Sequence, residues 1–316
     1  MTVAELNDER GFAGVVERHR GELQVHCYRM LGSYEEAEDL TQETFLRAWK
    51  RRETYAQRAS LRAWLYRIAT NACLDALEKR PKTPAPNGEI TWLQPYPEEL
   101  LEQVEAPDDA PGEVVARETI ELAFMVAIQH LAPRPRAVLV LRDVLGWRAR
   151  ECAELLETTE AGVNSALQRA RATLKEHLPK ERGEWMAAGS AREHELLERY
   201  ITATETADAA SIKALMHEDA RFAMPPEHGV YFGRDTIVDG WVQGGFGDAE
   251  FGTFKCSATR ANGQPGVVNY VRKPGADSYE LFAVDVLRIE GGLITDITTF
   301  QGPALKPFGL PNTLPV

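Results

Sequence analysis

Residues 148–178 read RARECAELLETTEAGVNSALQRARATLKEHL, and their spacing predicts two helices joined by a tight corner. The first, RARECAELLE, runs into Thr158-Thr159, and the second covers EAGVNSALQRARATLKEHL. Such a corner needs small side chains where the helices touch and apolar ones at matching offsets; Ala153, Leu156, Val163, Ala166 and Ala170 supply them. Thr159 suits the N-cap of the second helix, with Glu160 in the first turn, where the positive end of the macrodipole favours a carboxylate. The turn position that favours glycine for its positive φ falls at Glu157. Burying Val163, Leu167, Ala170 and Leu174 leaves Glu160, Ala161, Asn164, Ser165, Gln168, Arg169 and Arg171 outward. Most of these are hydrogen-bonding types able to reach base edges or phosphates in a major groove. Helix corners without a DNA role are common, so the pattern alone leaves both readings open.

Working toward the N-terminus, Pro133-Arg134-Pro135 opens the series of short helices that leads into the corner, and helical periodicity extends back to Gly112. Before it, residues 82–111 form an acidic, proline-containing linker: RPKTPAPNG has three prolines in six residues, too many for a helix. Inside that linker, WLQPYPEELL at 92–101 sets aromatic and leucine side chains where exposure would be costly. Trp92, Pro95, Tyr96 and Pro97 are therefore expected to dock on another part of the chain. Residues 11–80 show apolar positions at three- and four-residue spacing, punctuated by Gly32-Ser33, with Ser60 as N-cap of a third helix.

Charge is distributed unevenly. The chain has 316 residues and a formal net charge of -12, a balance that by itself speaks against nucleic acid, but a whole-chain sum does not locate a phosphate-binding face. Between Phe45 and Lys82 there are ten basic residues against three acidic, and between Arg134 and Lys175 eight against five. Thr83 to Pro133 carries ten acidic residues and Arg117 as its one base. Two basic modules thus flank an acidic tether. The length calls for two or three domains, and 44% apolar with 27% charged residues calls for folded ones. Cys27, Cys73, Cys152 and Cys256 lie far apart with no CxxC pair, which argues against structural zinc and a disulfide framework. No metal or cofactor is expected. The acidic N-terminus and the charges in every long window point to a cytoplasmic protein without a membrane span.

Beyond Gly189 the texture changes. Two amphipathic helices are followed by short β-branched and aromatic runs, with Glu290-Gly291-Gly292 as a hairpin turn between strands. The fold expected is therefore multidomain: two all-α modules followed by an α+β domain with a largely antiparallel sheet.

The run AEDLTQETFLRAW (37–49) with SLRAWLYRIATNACLDALEKR (60–80) resembles region 2 of the extracytoplasmic-function (ECF) sigma factors. PRAVLVLRDVLGWRARECAELLETTEAGVNSALQRARATL (135–174) resembles their region 4, with its helix-turn-helix. Together the two motifs cover somewhat over half the chain. The remainder resembles the SnoaL-like branch of the NTF2-like fold, a curved antiparallel sheet wrapped by helices around a conical pocket. The resemblance divides the chain into region 2 at 8–81, the linker at 82–111, region 4 at 112–180, a short linker at 181–190 and a SnoaL-like regulatory domain at 191–316.

What the resemblance implies is a factor that joins core RNA polymerase at the largest-subunit clamp and the flap and binds promoter DNA. Its own C-terminal domain would act on it in cis. Asp39, Gln42, Glu43, Leu46, Arg47 and Trp49 would contact core polymerase. Tyr55, Arg58, Ser60, Arg62, Arg67 and Asn71 would hold the −10 element, combining cations for the backbone with a platform for an unstacked base. Glu160, Ala161, Asn164, Ser165, Gln168, Arg169 and Arg171 would read the −35 element. Relatives often carry basic residues where this chain has Asn164 and Ala166, so its recognition helix is electrostatically light and its −35 contact is expected to be either weak or strongly salt-dependent. Tyr231, Trp241, Phe282 and Asp285 are pocket candidates, with Asp239, His217 and His228 as further acid/base candidates. Some SnoaL-like proteins are enzymes, but a lone carboxylate on a strand is more often a hydrogen-bonded structural residue, and no catalytic residue is assigned. The competing reading is a ligand-gated helix-turn-helix regulator that acts without polymerase; it has no use for the 39–49 segment or the basic stretch after it.

Overall fold

The computed structural model describes residues 8–55, 60–80, 90–104, 119–178 and 191–316. The chain divides into two compact units, Met1–Pro84 with Glu99–Leu178, and Ala85–Glu98 with Pro179–Val316.

The first unit is helical. Helix α1 (Glu9–Leu31) starts at Asp8, whose carboxylate accepts the Gly11 N–H, and ends at Gly32 with φ 73°. Ser33 then caps α2 (Tyr34–Arg51) by accepting the Glu36 N–H. A left-handed glycine followed at once by a serine cap turns the chain within two residues. A Cβ on Gly32 would also meet the Gln129 side chain at 3.0 Å, so this position excludes larger residues on both counts. Helix α3 (Leu61–Lys79) is capped by Ser60. The three helices bury Leu23, Cys27, Tyr28, Phe45, Leu65 and Ile68 among others.

The linker region contributes a five-residue helix, α4 (Glu98–Glu102). There follow α5 (Leu122–Gln129), α6 (Pro133–Leu139) and a π-helical turn at Val140–Val144. Helices α7 (Ala149–Leu155) and α8 (Glu160–His177) complete the unit. Arg136 on α6 is buried and hydrogen-bonds the carbonyls of Met30, Gln129 (2.8 Å) and Leu131 (2.9 Å). Arg29 donates to Thr119 at 2.8 Å. The carbonyls left over where α1 and α5 end are thus satisfied by a guanidinium from α6.

In the second unit, α9 (Ala191–Glu205) and α10 (Ala209–Leu215) precede β1 (Met216–Ala223), β2 (Val230–Phe232) and α11 (Arg234–Gln243). Strands β3 (Thr253–Ala261), β4 (Gln264–Arg272), β5 (Ser278–Glu290) and β6 (Leu293–Phe300) form a meander. A 3₁₀ segment (Gly302–Phe308) and β7 (Thr313–Pro315) end the chain. The sheet order is β2-β1-β6-β5-β4-β3, with β7 on β5. Among the described strands only the β1–β6 pair is parallel. Register shifts between Asn269 and Tyr270 and between Arg288 and Ile289 bend the long central strands. The β5–β6 hairpin turns at Gly291 and Gly292, with φ 58° and 82°, a backbone that suits glycine at both sites. Leu196, Tyr200, Ile212, Phe222, Ile237, Val267, Leu287 and Ile297 belong to the core between helices and sheet.

The stretch expected to be a linker is divided. Trp92 to Glu98 belongs to the second unit: Tyr96 donates its N–H to Asn262 Oδ1 and accepts the Asn262 N–H, both at 2.8 Å, and Glu98 accepts the Gly263 N–H at 2.8 Å. Tyr96 is 1% exposed, Pro95 and Pro97 are buried and Trp92 is half-buried. Asn262 adopts φ 56°, a conformation asparagine tolerates better than most residues. The C-terminal tail also packs onto the second unit, with Leu305 buried and β7 paired to β5.

Candidate nucleic-acid and polymerase interfaces, and a buried pocket

The helix corner has the geometry its sequence demands. Thr159 caps α8 by accepting the Gly162 N–H at 3.0 Å, and Glu157 takes φ 52°, the strained turn position of a chain that has no glycine there. Val163, Leu167 and Ala170 are buried and Leu174 half-buried, while Glu160, Ala161, Asn164, Ser165, Gln168, Arg169 and Arg171 are all exposed. Arg171 forms a fork with Asp143 of the π-helical turn, at 2.7 and 2.8 Å. That pair ties α8 to the preceding element and leaves Arg169 as the less committed cation of the outward face.

On α2 the face formed by Asp39, Gln42, Glu43 and Leu46 is exposed, opposite buried Ala37, Thr41, Phe45 and Ala48. Leu46 is 61% exposed. Arg47 is half-buried and pairs with Glu43 (2.8 Å) and Asp75 (3.1 Å). Trp49 lies between the Phe12 ring, 5.0 Å away, and the Arg52 guanidinium, 3.9 Å above it. It is half-buried between these two neighbours.

The −10 candidates separate. Arg58 lies outside the described residues. Tyr55 is half-buried with its ring 5.4 Å from that of Trp64, and burial raises the pKa of its hydroxyl. Ser60 is occupied as a helix cap, and Asn71 is half-buried. Arg62 requires a correction: it does not face outward but is 8% exposed, with its Nε on Glu22 Oε2 at 2.8 Å and its guanidinium over the Tyr66 ring. Glu22 also accepts from His19 (2.6 Å) and from the Tyr66 hydroxyl (3.0 Å). The sequence sets Arg62 and Arg67 on one helix as −10 candidates but does not show that Arg62 meets a buried carboxylate forty positions earlier. Arg67 is exposed and pairs with Glu157 at 2.7 Å. Below this face, His26 is buried against Thr70 and its pKa falls to about 3, through burial first and then Arg29 and Arg62.

The second unit holds a cavity of about 420 Å³. Trp241, Phe282 and Asp285 line it as expected, whereas Tyr231 does not and is 51% exposed on β2. Its remaining aromatic lining, Phe222, Phe246, Phe251 and Phe254, and its polar members Tyr200, Asn269 and Thr299 come from elements that meet only in the folded sheet. Asp239 pairs instead with Lys213 at 2.7 Å, His217 accepts the Asp219 N–H, and His228 is exposed. No acid/base pair assembles from the four candidates. Among the described residues, no group of three or more His, Cys, Asp or Glu is placed to hold a metal ion, and no helix is long and apolar enough to cross a membrane.

Comparison with known proteins fits this layout. Residues 15–83 match Sigma-70 region 2, 121–174 match Sigma-70 region 4 and 197–297 match the SnoaL-like domain. The chain is 40% identical to the ECF RNA polymerase sigma factor SigG of Mycobacterium tuberculosis, over 98% of this chain and 87% of that protein. It is 30% identical to SigJ of the same organism, over 91% and 90% of the two chains. The crystal structure of SigJ superposes with a TM-score of 0.62 at 24% identity, covering 93% of this chain and 98% of that one, so the fold is shared. This chain belongs to the ECF RNA polymerase sigma factors, with a SnoaL-like domain at its C-terminal end.

Proposed function

We propose that the chain acts by joining core RNA polymerase through the outward face of α2, reading a −35 element with α8 and a −10 element with the segment around Tyr55. The observation that carries this reading is the division of α2: a large apolar side chain, Leu46, stands in solvent among Asp39, Gln42 and Glu43 while the opposite face is buried. A rigid helix with one face buried and the other, Leu46 included, left outward can offer that outward face to a protein partner, and largest-subunit clamp contacts fit it. The chemistry needed is recognition and strand capture; bond-making belongs to the polymerase, and the protein itself is no enzyme in this reading.

We further infer regulation in cis. The Trp92–Glu98 stretch, which lies between the two sigma modules in sequence, is hydrogen-bonded to Asn262 and Gly263 of the SnoaL-like unit. The domain therefore controls how much of the connecting chain is free, and a tethered domain acts at high effective concentration. Two experiments test the proposal. Leu46→Asp, on an exposed site, should leave folding intact and abolish co-purification with core polymerase and run-off transcription; retained binding would overturn the α2 assignment. Deletion of 306–316, and separately of 191–316, should change promoter-dependent transcription in vitro; unchanged activity in both would refute regulation in cis.

A further inference from the structure

Asp285 is buried at the wall of the 420 Å³ cavity, and its hydrogen bonds are directional. Thr299 Oγ1 donates to Oδ1 at 2.5 Å, while Asn269 Nδ2 and the Tyr200 hydroxyl donate to Oδ2 at 2.8 and 3.3 Å. The Asn269 amide is oriented by its other end, where Oδ1 accepts from the Cys256 thiol at 3.2 Å, so its NH₂ points at the carboxylate. The register shift after Asn269 falls at this place on β4, where a bulge re-aims side chains. A carboxylate has about four lone-pair positions; three are taken, leaving one acceptor position. Among the described residues, no lysine, arginine or histidine lines the cavity. The negative charge has donors but no counter-charge.

Around it the rings are continuous. Phe222 meets Trp241 edge-on at 5.3 Å, Trp241 neighbours Phe246 at 6.4 Å, and Phe246 neighbours Phe254 at 5.7 Å. Phe254 and Phe251 both contact Phe282, which is 39% exposed and so reaches the mouth. Aromatic faces carry negative quadrupole charge and attract cations, more strongly where water is excluded. The size falls within the range of small-molecule sites.

We propose that this cavity is a receptor for an apolar ammonium ion, an amine bearing an aromatic or branched hydrocarbon body, with Asp285 as its counter-ion and the aromatic ring series as its cage. A neutral apolar ligand would fill the same volume but leave the buried carboxylate uncompensated; an anion would meet it directly. Burial raises the pKa of the Asp285 carboxyl against the pull of its three hydrogen bonds, and burial followed by the Glu205 and Asp285 carboxylates raises that of the Cys256 thiol. Burial is the first cause of both shifts.

The test is calorimetric titration of the full chain with three probes of one shape: naphthylmethyl-dimethylammonium, its uncharged isostere isobutylnaphthalene, and naphthylacetate. The cation should bind about tenfold or more tightly than the isostere, and naphthylacetate most weakly. Asp285→Asn keeps the volume and should bring the cation down to the level of the isostere. Should that variant fail to fold, Trp241→Leu serves in its place, weakening the cation more than the isostere. Equal or tighter binding of the isostere, no binding by any probe, or discrimination undiminished in the variant would overturn the proposal. The titration reads the cavity alone, so its failure leaves the polymerase reading standing, and the reverse holds as well.

Discussion

Replacing Arg62 with alanine should destabilise the helical unit rather than simply weaken DNA binding. Glu22 has a fully buried side chain, and Arg62 Nε is its cationic partner at 2.8 Å. Removing one partner of a buried ion pair leaves an uncompensated charge and costs about 3–5 kcal/mol. Glu22 would keep its bonds from His19 and Tyr66, so the lower part of that range is expected. For a unit of this size each kcal/mol moves Tm by about 2–4 °C, which gives a fall of roughly 6–12 °C for a 3 kcal/mol loss. Circular dichroism during urea and thermal unfolding reads it directly. A double-mutant cycle with Glu22→Gln should return a coupling of about 1–3 kcal/mol, because the two side chains share one network. If Arg62→Ala unfolds within 1 kcal/mol of the parent protein while promoter opening is lost, Arg62 faces DNA and the buried-pair argument is wrong.

Three further outcomes are expected. His26 has a folded pKa of about 3 against 6.5 unfolded; below pH 6.5 the unfolded chain takes up a proton that the folded one does not. Its contribution is therefore complete above pH 6.5 and falls as pH drops, by about 2 kcal/mol at pH 5, and His26→Gln should flatten that limb of a stability–pH curve. Arg169→Ala should weaken binding to −35 DNA and lower the slope of log K against log salt by about 1, read by fluorescence anisotropy at several salt concentrations. Asn262→Gly keeps the left-handed backbone but deletes the acceptor of the Tyr96 N–H; amide exchange at Tyr96 should speed up about fivefold, the equivalent of one net hydrogen bond.

Much of the fold could be read from local chemistry. Gly32-Ser33, Ser60 and Thr159 mark helix ends because capping is decided within a few residues, and Glu157 adopts the left-handed turn expected of it. The outward residues of α8 follow from the 3.6-residue period. The WLQPYP segment announced that it needed a partner, through apolar side chains in an acidic stretch. Its sequence did not name Asn262, and no local rule links two positions so far apart in the chain.

The sequence by itself determined where the long helices are capped and which of their faces carry charge, since these depend on neighbours within a turn or two. Only the tertiary structure decided that Arg62 is committed to Glu22 while Arg67 remains on the surface. It likewise decided that Tyr231 lies outside the cavity, and that Tyr200, Asn269 and Thr299, carried on a helix and two separate strands, converge on Asp285. The reason is physical: whether a polar side chain meets water or a buried partner is fixed by what folds back against it, and that information is spread over the whole chain.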